Sequence, residues 1–281
     1  MAEEKGLLYM CATPIGNLGD ITKRALTVLS EVDLIAAEDT RRTRQLLNHF
    51  AIKKPLVSYH EHNKEKQGLK LLEELRKGYH IALVSDAGFP GIADPGEQLV
   101  NQAVKEGITV VPLPGANAAL SALVASGLPS APFFFGGFLP KNKKHRKEQL
   151  VQWQHIPSTI VLYEAPHRVK EVIKDILAVW GERQIALARE LTKVHEEFFR
   201  GTLAEALAHL ELQQPRGEFT LVIAQGTKIV ELREEDPLSV VQKLLAEGKD
   251  KKETLQSVAK AYKIPKRDLY NRLILLEEGD K

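Results

Sequence analysis

Asp86 follows the apolar run Ile81-Ala82-Leu83-Val84 after Ser85 and opens a stretch rich in small or rigid residues, Ala87-Gly88-Phe89-Pro90-Gly91-Ile92-Ala93. A carboxylate beside bare backbone can accept hydrogen bonds from a ligand's amine or hydroxyls at close approach. The following Asp94-Pro95-Gly96-Glu97 reads as a helix start, Asp94 as N-cap and Pro95 at the first helical position, so structure alone accounts for it. Nothing local accounts for Asp86. Thr13-Pro14-Ile15-Gly16-Asn17-Leu18-Gly19-Asp20 and Pro112-Leu113-Pro114-Gly115-Ala116-Asn117 have a similar make-up and also follow apolar runs. The first is not a Walker loop, since no Gly-Lys-Ser/Thr follows, and it lacks dinucleotide-loop spacing. As a plain strand–helix turn it would be capped by Asp20, and the second loop doubles as a crossing between domains.

Charged side chains gather in three further segments: Tyr163-Glu164-Ala165-Pro166-His167-Arg168, Ala188-Arg189-Glu190-Leu191-Thr192-Lys193 and Arg216-Gly217-Glu218-Phe219-Thr220. These form either part of a site or a solvated ion-pair network. No His-Glu-x-x-His, Gly-x-Ser-x-Gly elbow or cysteine cluster is present, and His60-Glu61-His62 reads as an exposed polar loop. No metal site is expected.

The elements that must hold these loops alternate. Strands are expected at Leu7–Met10, Leu34–Ala37, Leu56–Ser58, Ile81–Val84 and Thr109–Val111, with amphipathic helices between them. That order implies a largely parallel sheet covered on both faces, with ligands in the loops beyond the strand C-termini. A second α/β unit begins near Ala118, with strands at Phe133–Phe135, Ser158–Tyr163, Gln184–Ala188 and Phe219–Ala224. Gly226 to Asp236 reads as a linker, followed by three short helices. The expected domains are 1–117, 118–228 and 233–281.

Lys+Arg total 39 against Asp+Glu 37, so any affinity for nucleic acid must come from local clusters. The single cysteine, Cys11, excludes an internal disulfide and fits a reducing cytoplasm. No signal peptide or membrane-spanning run is expected.

Together, Ala12-Thr13-Pro14-Ile15-Gly16-Asn17-Leu18, Ala37-Glu38-Asp39-Thr40-Arg41, Ser85-Asp86-Ala87-Gly88 with Asp94-Pro95-Gly96, Pro114-Gly115-Ala116-Asn117, Tyr163-Glu164-Ala165-Pro166-His167-Arg168 and Ala188-Arg189-Glu190-Leu191-Thr192-Lys193 resemble the tetrapyrrole-methylase fold family. They most resemble its branch that methylates a ribose 2′-hydroxyl of a cytidine in 16S ribosomal RNA. The likeness runs in order over about residues 6–225, with Phe89 where Thr is usual and Gly19 where an acid is usual. It implies an α/β fold of two lobes with a cofactor cleft between them, a small C-terminal helical unit, S-adenosylmethionine as cofactor and a homodimer. By motif, it assigns cofactor contacts to Pro14, Asp86, Gly88, Ile92, Ala116 and Asn117, and in the second lobe to Leu162, Tyr163, Ala188, Phe219 and Thr220.

A ribose hydroxyl is a weak nucleophile, so a base, or a cation stabilising the developing alkoxide, would help. Glu190 and Lys193 are the first choice for those tasks; Glu38, Asp39 and Arg41 are the second. For RNA phosphates the candidates are Lys141, Lys143, Lys144, Arg146 and Lys147 in one run, Arg41, Arg42 and Arg44 in another, and Arg168. The run around Thr254–Leu273, with Lys263, Lys266, Arg267 and Arg272, reads either as a helix-turn-helix-like RNA grip or as a packing or dimer-support domain. Two alternatives stand beside the ribosomal RNA reading, in naked RNA or in the assembled subunit. One is the same fold acting on a corrin precursor or diphthine intermediate, which would need no strip like Lys141–Lys147. The other is a non-enzymatic RNA-binding protein.

Overall fold

The structure, a computed structural model, describes residues 5–212, 215–226, 236–262 and 264–279. Lys263 and the linker residues 227–235 lie outside the described residues. The chain divides into two compact units, Met1–Gly226 and Thr227–Lys281.

The larger unit opens with β1 (Leu8–Cys11), α1 (Lys23–Glu31), β2 (Leu34–Ala37), α2 (Thr40–His49), β3 (Leu56–Ser58), α3 (Lys64–Arg76), β4 (Ile81–Val84), α4 (Gly96–Lys105) and β5 (Val110–Leu113). The strands form one sheet in the order β3-β2-β4-β1-β5, and every pairing is parallel. Its central strand β4 is apolar throughout and buried throughout, because helices cover both faces. Alternation along β1 sorts the two faces. Leu8 and Met10 pack with Leu71, Leu75 and Leu99 of α3 and α4, whereas Cys11 packs with Ala25, Leu29 and Leu47 of α1 and α2. Burial pushes the Cys11 thiol up to about 12, so it is an inert core group.

The chain continues through α5 (Ala118–Ala125), β6 (Phe133–Phe138), α6 (Lys143–Trp153), β7 (Thr159–Glu164), α7 (Val169–Trp180), β8 (Gln184–Arg189), β9 (Glu197–Thr202), α8 (Leu203–Leu212) and β10 (Phe219–Ile223). These strands form a second sheet ordered β6-β7-β10-β8-β9, parallel only between β6 and β7. Ile160 and Leu162 face α7 and α8, while Val161, Ala186, Ala188 and Val222 face Ala119, Ala122 and Leu123 of α5. Ile15, from the loop after β1, joins that second cluster. One apolar core therefore ties the first lobe's opening loop to the second lobe's inner face. The edge strand β9 was not expected from the sequence.

Two caps differ from expectation. Asn17 rather than Asp20 caps the short turn Leu18–Asp20, and the Thr22 hydroxyl accepts the Ala25 amide at 3.1 Å to start α1. Helix α4 begins at Gly96 after Pro95, and Asp94 acts one step earlier. Its carboxylate accepts the Gly91 and Gly96 amides at 2.8 and 2.9 Å, closing the intervening loop.

The smaller unit holds α9 (Pro237–Ala246), α10 (Lys251–Tyr262) and α11 (Lys266–Gly279). They enclose a core of Leu238, Val241, Leu255, Val258, Leu269 and Leu273. No helix among the described residues is long and apolar enough to cross a membrane.

Candidate active site

Because the first sheet is wholly parallel, the loops after β1, β2, β4 and β5 converge on one edge. Thr13 and Gly88 exchange backbone hydrogen bonds at 2.9 and 3.0 Å, which binds the first loop to the third. The Thr13 hydroxyl also donates to the Ser85 carbonyl at 3.2 Å. Gly88 has φ +81°, and a Cβ there would lie 3.3 Å from Ile15 Cγ2 and 3.5 Å from the Ala116 carbonyl. Only glycine keeps both the turn and the space beside it.

That space is a cleft of about 420 Å³ between the lobes. Apolar side chains, among them Ile15, Phe89, Ile92, Phe138 and Phe219, line much of it, and Glu38, Asp86, Asn117 and Thr220 supply polar groups. A flat apolar wall beside bare backbone and carboxylates suits a nucleoside bearing a cationic tail, so the residues present fit S-adenosylmethionine. Asn117 also caps α5, accepting the Leu120 amide at 2.9 Å, and the Tyr163 hydroxyl accepts the Ala119 amide at 3.1 Å.

The carboxylates in the cleft are cross-linked. Glu38 Oε2 accepts the Asp86 amide at 3.1 Å, while Asp86 Oδ1 accepts the Asp39 amide at 3.0 Å. Arg42 Nη1 lies 3.4 Å from Asp86 Oδ2. Burial raises the Glu38 pKa above the ordinary carboxylate value; the Asp86 amide opposes the rise, and the charges of Asp86 and Asp94 add to it. Asp94 is raised by burial as well, against hydrogen bonds from Gly91, Gly96 and Ile92. Asp39 behaves oppositely. Hydrogen bonds from the Arg41 side chain and backbone hold it down at about 2, and this pair of half-buried Asp39 and exposed Arg41 lines no part of the cleft.

An adjoining cleft of about 440 Å³ shares Ile15, Arg42, Ser85, Asp86, Ala87 and Glu218 with the first. Its other walls include Pro14, Gly16, Gln45, His49 and Lys193. Asp86 and Arg42 thus stand on the ridge between two spaces. Lys193 reaches it from the second lobe across Gly16, where a Cβ would lie 2.4 Å from Lys193 Cγ. Its ammonium donates to Glu190 Oε1 at 2.8 Å and to Glu218 Oε2 at 3.1 Å. Burial disfavours the Lys193 charge, but those carboxylates outweigh it and raise its pKa; Glu190 is likewise lowered despite its burial, through Lys193 and the Glu218 amide. Glu190 sits at φ +50° and lines neither cleft. It is bound on several sides and weakly basic.

Of the residues the sequence puts forward for the cofactor, Asp86, Gly88, Ile92, Asn117, Tyr163, Phe219 and Thr220 line the first cleft, and Pro14 the second. Ala116, Leu162 and Ala188 line neither; Leu162 and Ala188 are core residues of the second sheet. Among the RNA candidates, Arg146 is 1% exposed. It donates to Asp175 Oδ2 at 2.7 and 2.8 Å and to Glu171 Oε1 at 2.6 Å, so it is a buried clamp rather than a phosphate contact. Arg168 is also engaged, donating to the Leu139 and Pro140 carbonyls at 3.0 and 3.1 Å. Arg41, Arg42, Arg44, Lys141, Lys143, Lys144 and Lys147 are exposed. Sequence reasoning did not single out Phe138 for the cleft, and it named Glu218 only as part of a charged segment.

These features define a class. The chain belongs to the tetrapyrrole (corrin/porphyrin) methylase family, whose model matches residues 7–207. Among proteins of that family it is similar to the ribosomal RNA small subunit methyltransferase I of Halalkalibacterium halodurans, 50% identical over 96% of this chain and 95% of that one. The protein of the same name from Bacillus subtilis is 47% identical over 95% and 94% of the two chains. Solved structures of the same fold include a diphthine synthase, with TM-score 0.61, 14% identity and coverage of 78% and 90%. Another is a uroporphyrin-III C-methyltransferase from Thermus thermophilus complexed with S-adenyl homocysteine, with TM-score 0.56, 17% identity and coverage of 77% and 97%. At such identities these structures establish the fold alone.

Proposed function

We propose that this chain is a cytoplasmic, S-adenosylmethionine-dependent methyltransferase that modifies a ribose 2′-hydroxyl of a cytidine in small-subunit ribosomal RNA. The observation that carries the reading is the pair of adjoining clefts, one apolar and carboxylate-bearing, the other edged by cations, with Asp86 and Arg42 between them. Near-half identity to proteins named for this RNA favours it over a corrin or diphthine acceptor.

When bound, S-adenosylmethionine supplies an electrophilic methyl group on a positively charged sulfur. Asp86, Gly88, Ile92, Asn117, Tyr163, Phe219 and Thr220 hold it in the first cleft, and the neighbouring carboxylates favour its positive charge. The acceptor nucleotide enters the second cleft, past Pro14, Arg42 and His49. Glu38 takes the hydroxyl proton, because burial keeps it more basic than an ordinary carboxylate. Lys193, kept protonated, stabilises the developing alkoxide, and Glu190 positions Lys193. Arg41, Arg42, Arg44, Lys141, Lys143, Lys144 and Lys147 meet phosphates. A homodimer belongs to the same proposal, and exposed Leu120, Val124 and Val194 offer apolar surface for it.

The test is transfer of labelled methyl from S-adenosylmethionine to small subunits and to naked RNA lacking the modification, with mass-spectrometric mapping. A single ribose-methylated cytidine is expected. Methylation confined to a base, or no transfer to either substrate, would overturn the reading.

A further inference from the structure

The smaller unit has a feature that the methyltransfer chemistry does not use. In α11, Leu269 and Leu273 turn into the three-helix core, and Lys266, Arg267, Tyr270 and Asn271 are exposed. At about 100° per residue those four fall within one arc of about 140°, with Lys266 beside Leu273 at its inner border and Arg267 and Asn271 farthest from the core leucines. Tyr270 leaves 44% of its surface to solvent, so its ring is accessible to a flat partner. Lys266 Nζ donates to the Lys252 carbonyl at 3.4 Å, which brings the start of α11 against the first turn of α10 and adds the exposed Lys252 to the same end. The nearby acids are accounted for differently. Asp250 accepts the Lys252 and Glu253 amides at 2.9 Å as the cap of α10, and Asp236 is paired with Arg272 at 2.6 Å. Asp268 lies on the flank, in the first turn of α11. Only residues 263–265 separate α10 from α11, the spacing at which a second helix presents its N-terminal residues outward.

We propose that this face of α11 grips the RNA substrate, with Lys252, Lys266 and Arg267 on phosphates and Tyr270 stacked on an unpaired base. The occupant follows from charge complementarity to a polyanion and from the exposed Tyr270 ring beside the cations, a combination that suits RNA where its bases are splayed from the helix. The inference rests on the ribosomal RNA reading above.

The experiment measures equilibrium binding of the full chain to a small-subunit RNA fragment at several salt concentrations. Lys266→Glu/Arg267→Glu is expected to weaken binding at least about tenfold and to reduce the salt slope by about two. Tyr270→Ala is expected to weaken it by roughly fivefold or more. Lys243→Glu, exposed on α9, is expected to change little. Melting curves and S-adenosylmethionine titration establish that each variant is folded, and Lys266→Gln/Arg267→Gln replaces any that is not. Unchanged RNA affinity in the α11 variants, or an equal loss in Lys243→Glu, would overturn this proposal alone. Absence of RNA binding by the unaltered chain would overturn the substrate reading with it.

Discussion

The two sheets of the larger unit deliver different things to their shared cleft. In the first lobe every strand runs the same way, and the loops at one edge are built from Gly, Pro and Ala. What they contribute is space beside backbone, held open by the Thr13–Gly88 bridge and by Gly88 at φ +81°. In the second lobe most neighbours are antiparallel, and its strand ends carry Glu164, Arg189, Glu190 and Glu218. Most of that charge is paired before any ligand arrives. The second lobe's charges thus largely hold one another, although Lys193 and Glu218 also reach the wall of a cleft beside the first lobe's loops.

The sharpest way to break this comparison is Glu38→Gln, which removes the one first-lobe carboxylate assigned a chemical task. Its turnover is expected to fall about 10²- to 10⁴-fold in single-turnover assays at saturating cofactor, with a smaller loss of cofactor affinity from the lost carboxylate charge. The pH profile gives the sign. A base must be deprotonated to act, so the rate should fall as pH drops through a Glu38 pKa lying above the ordinary carboxylate value. Glu38→Gln should abolish that acidic limb, and a limb that survives in the variant would assign it to another group.

The opposite test falls on the second lobe. Arg146→Ala would leave Asp175 buried without its main partner, with Lys147 Nζ only at 4.0 Å. A loss of about 3–5 kcal/mol in denaturant unfolding is expected. Loss of RNA affinity without loss of stability would make Arg146 a contact rather than a clamp. Lys193→Ala asks whether any of the second lobe's paired charge is chemical, and about a 10²-fold drop in turnover is expected. Asn117→Ala is the smallest change, about 1 kcal/mol through the lost α5 cap, read from thermal melting.

Much of this fold was legible in the sequence because its cause is local. The all-apolar β4 and the runs at β1 and β2 announce buried parallel strands. Asp86 stood out because no nearby cap explained it. What was hidden depends on distant partners. The edge strand β9 contains Glu197, Arg200 and Gly201 and becomes a strand only by pairing with β8. Arg146 sits in a lysine run that reads as wholly solvated, and its burial follows from Asp175 on α7. The burial of Glu38, and its contact with the Asp86 amide far along the chain, could not be read from local sequence. Asp20 is the converse, a local cap supplanted by the better-placed Asn17 and Thr22.

The division of labour between the two clefts is tested most directly by titrating S-adenosylmethionine calorimetrically into the unaltered chain, Gly88→Val and Lys193→Ala. Gly88→Val, which fills the first cleft's bare wall, should weaken the cofactor at least about tenfold through strain and lost space. Lys193→Ala should leave cofactor affinity within about twofold, because its ammonium belongs to the adjoining cleft. Normal affinity in Gly88→Val, or a large loss in Lys193→Ala, would contradict the account.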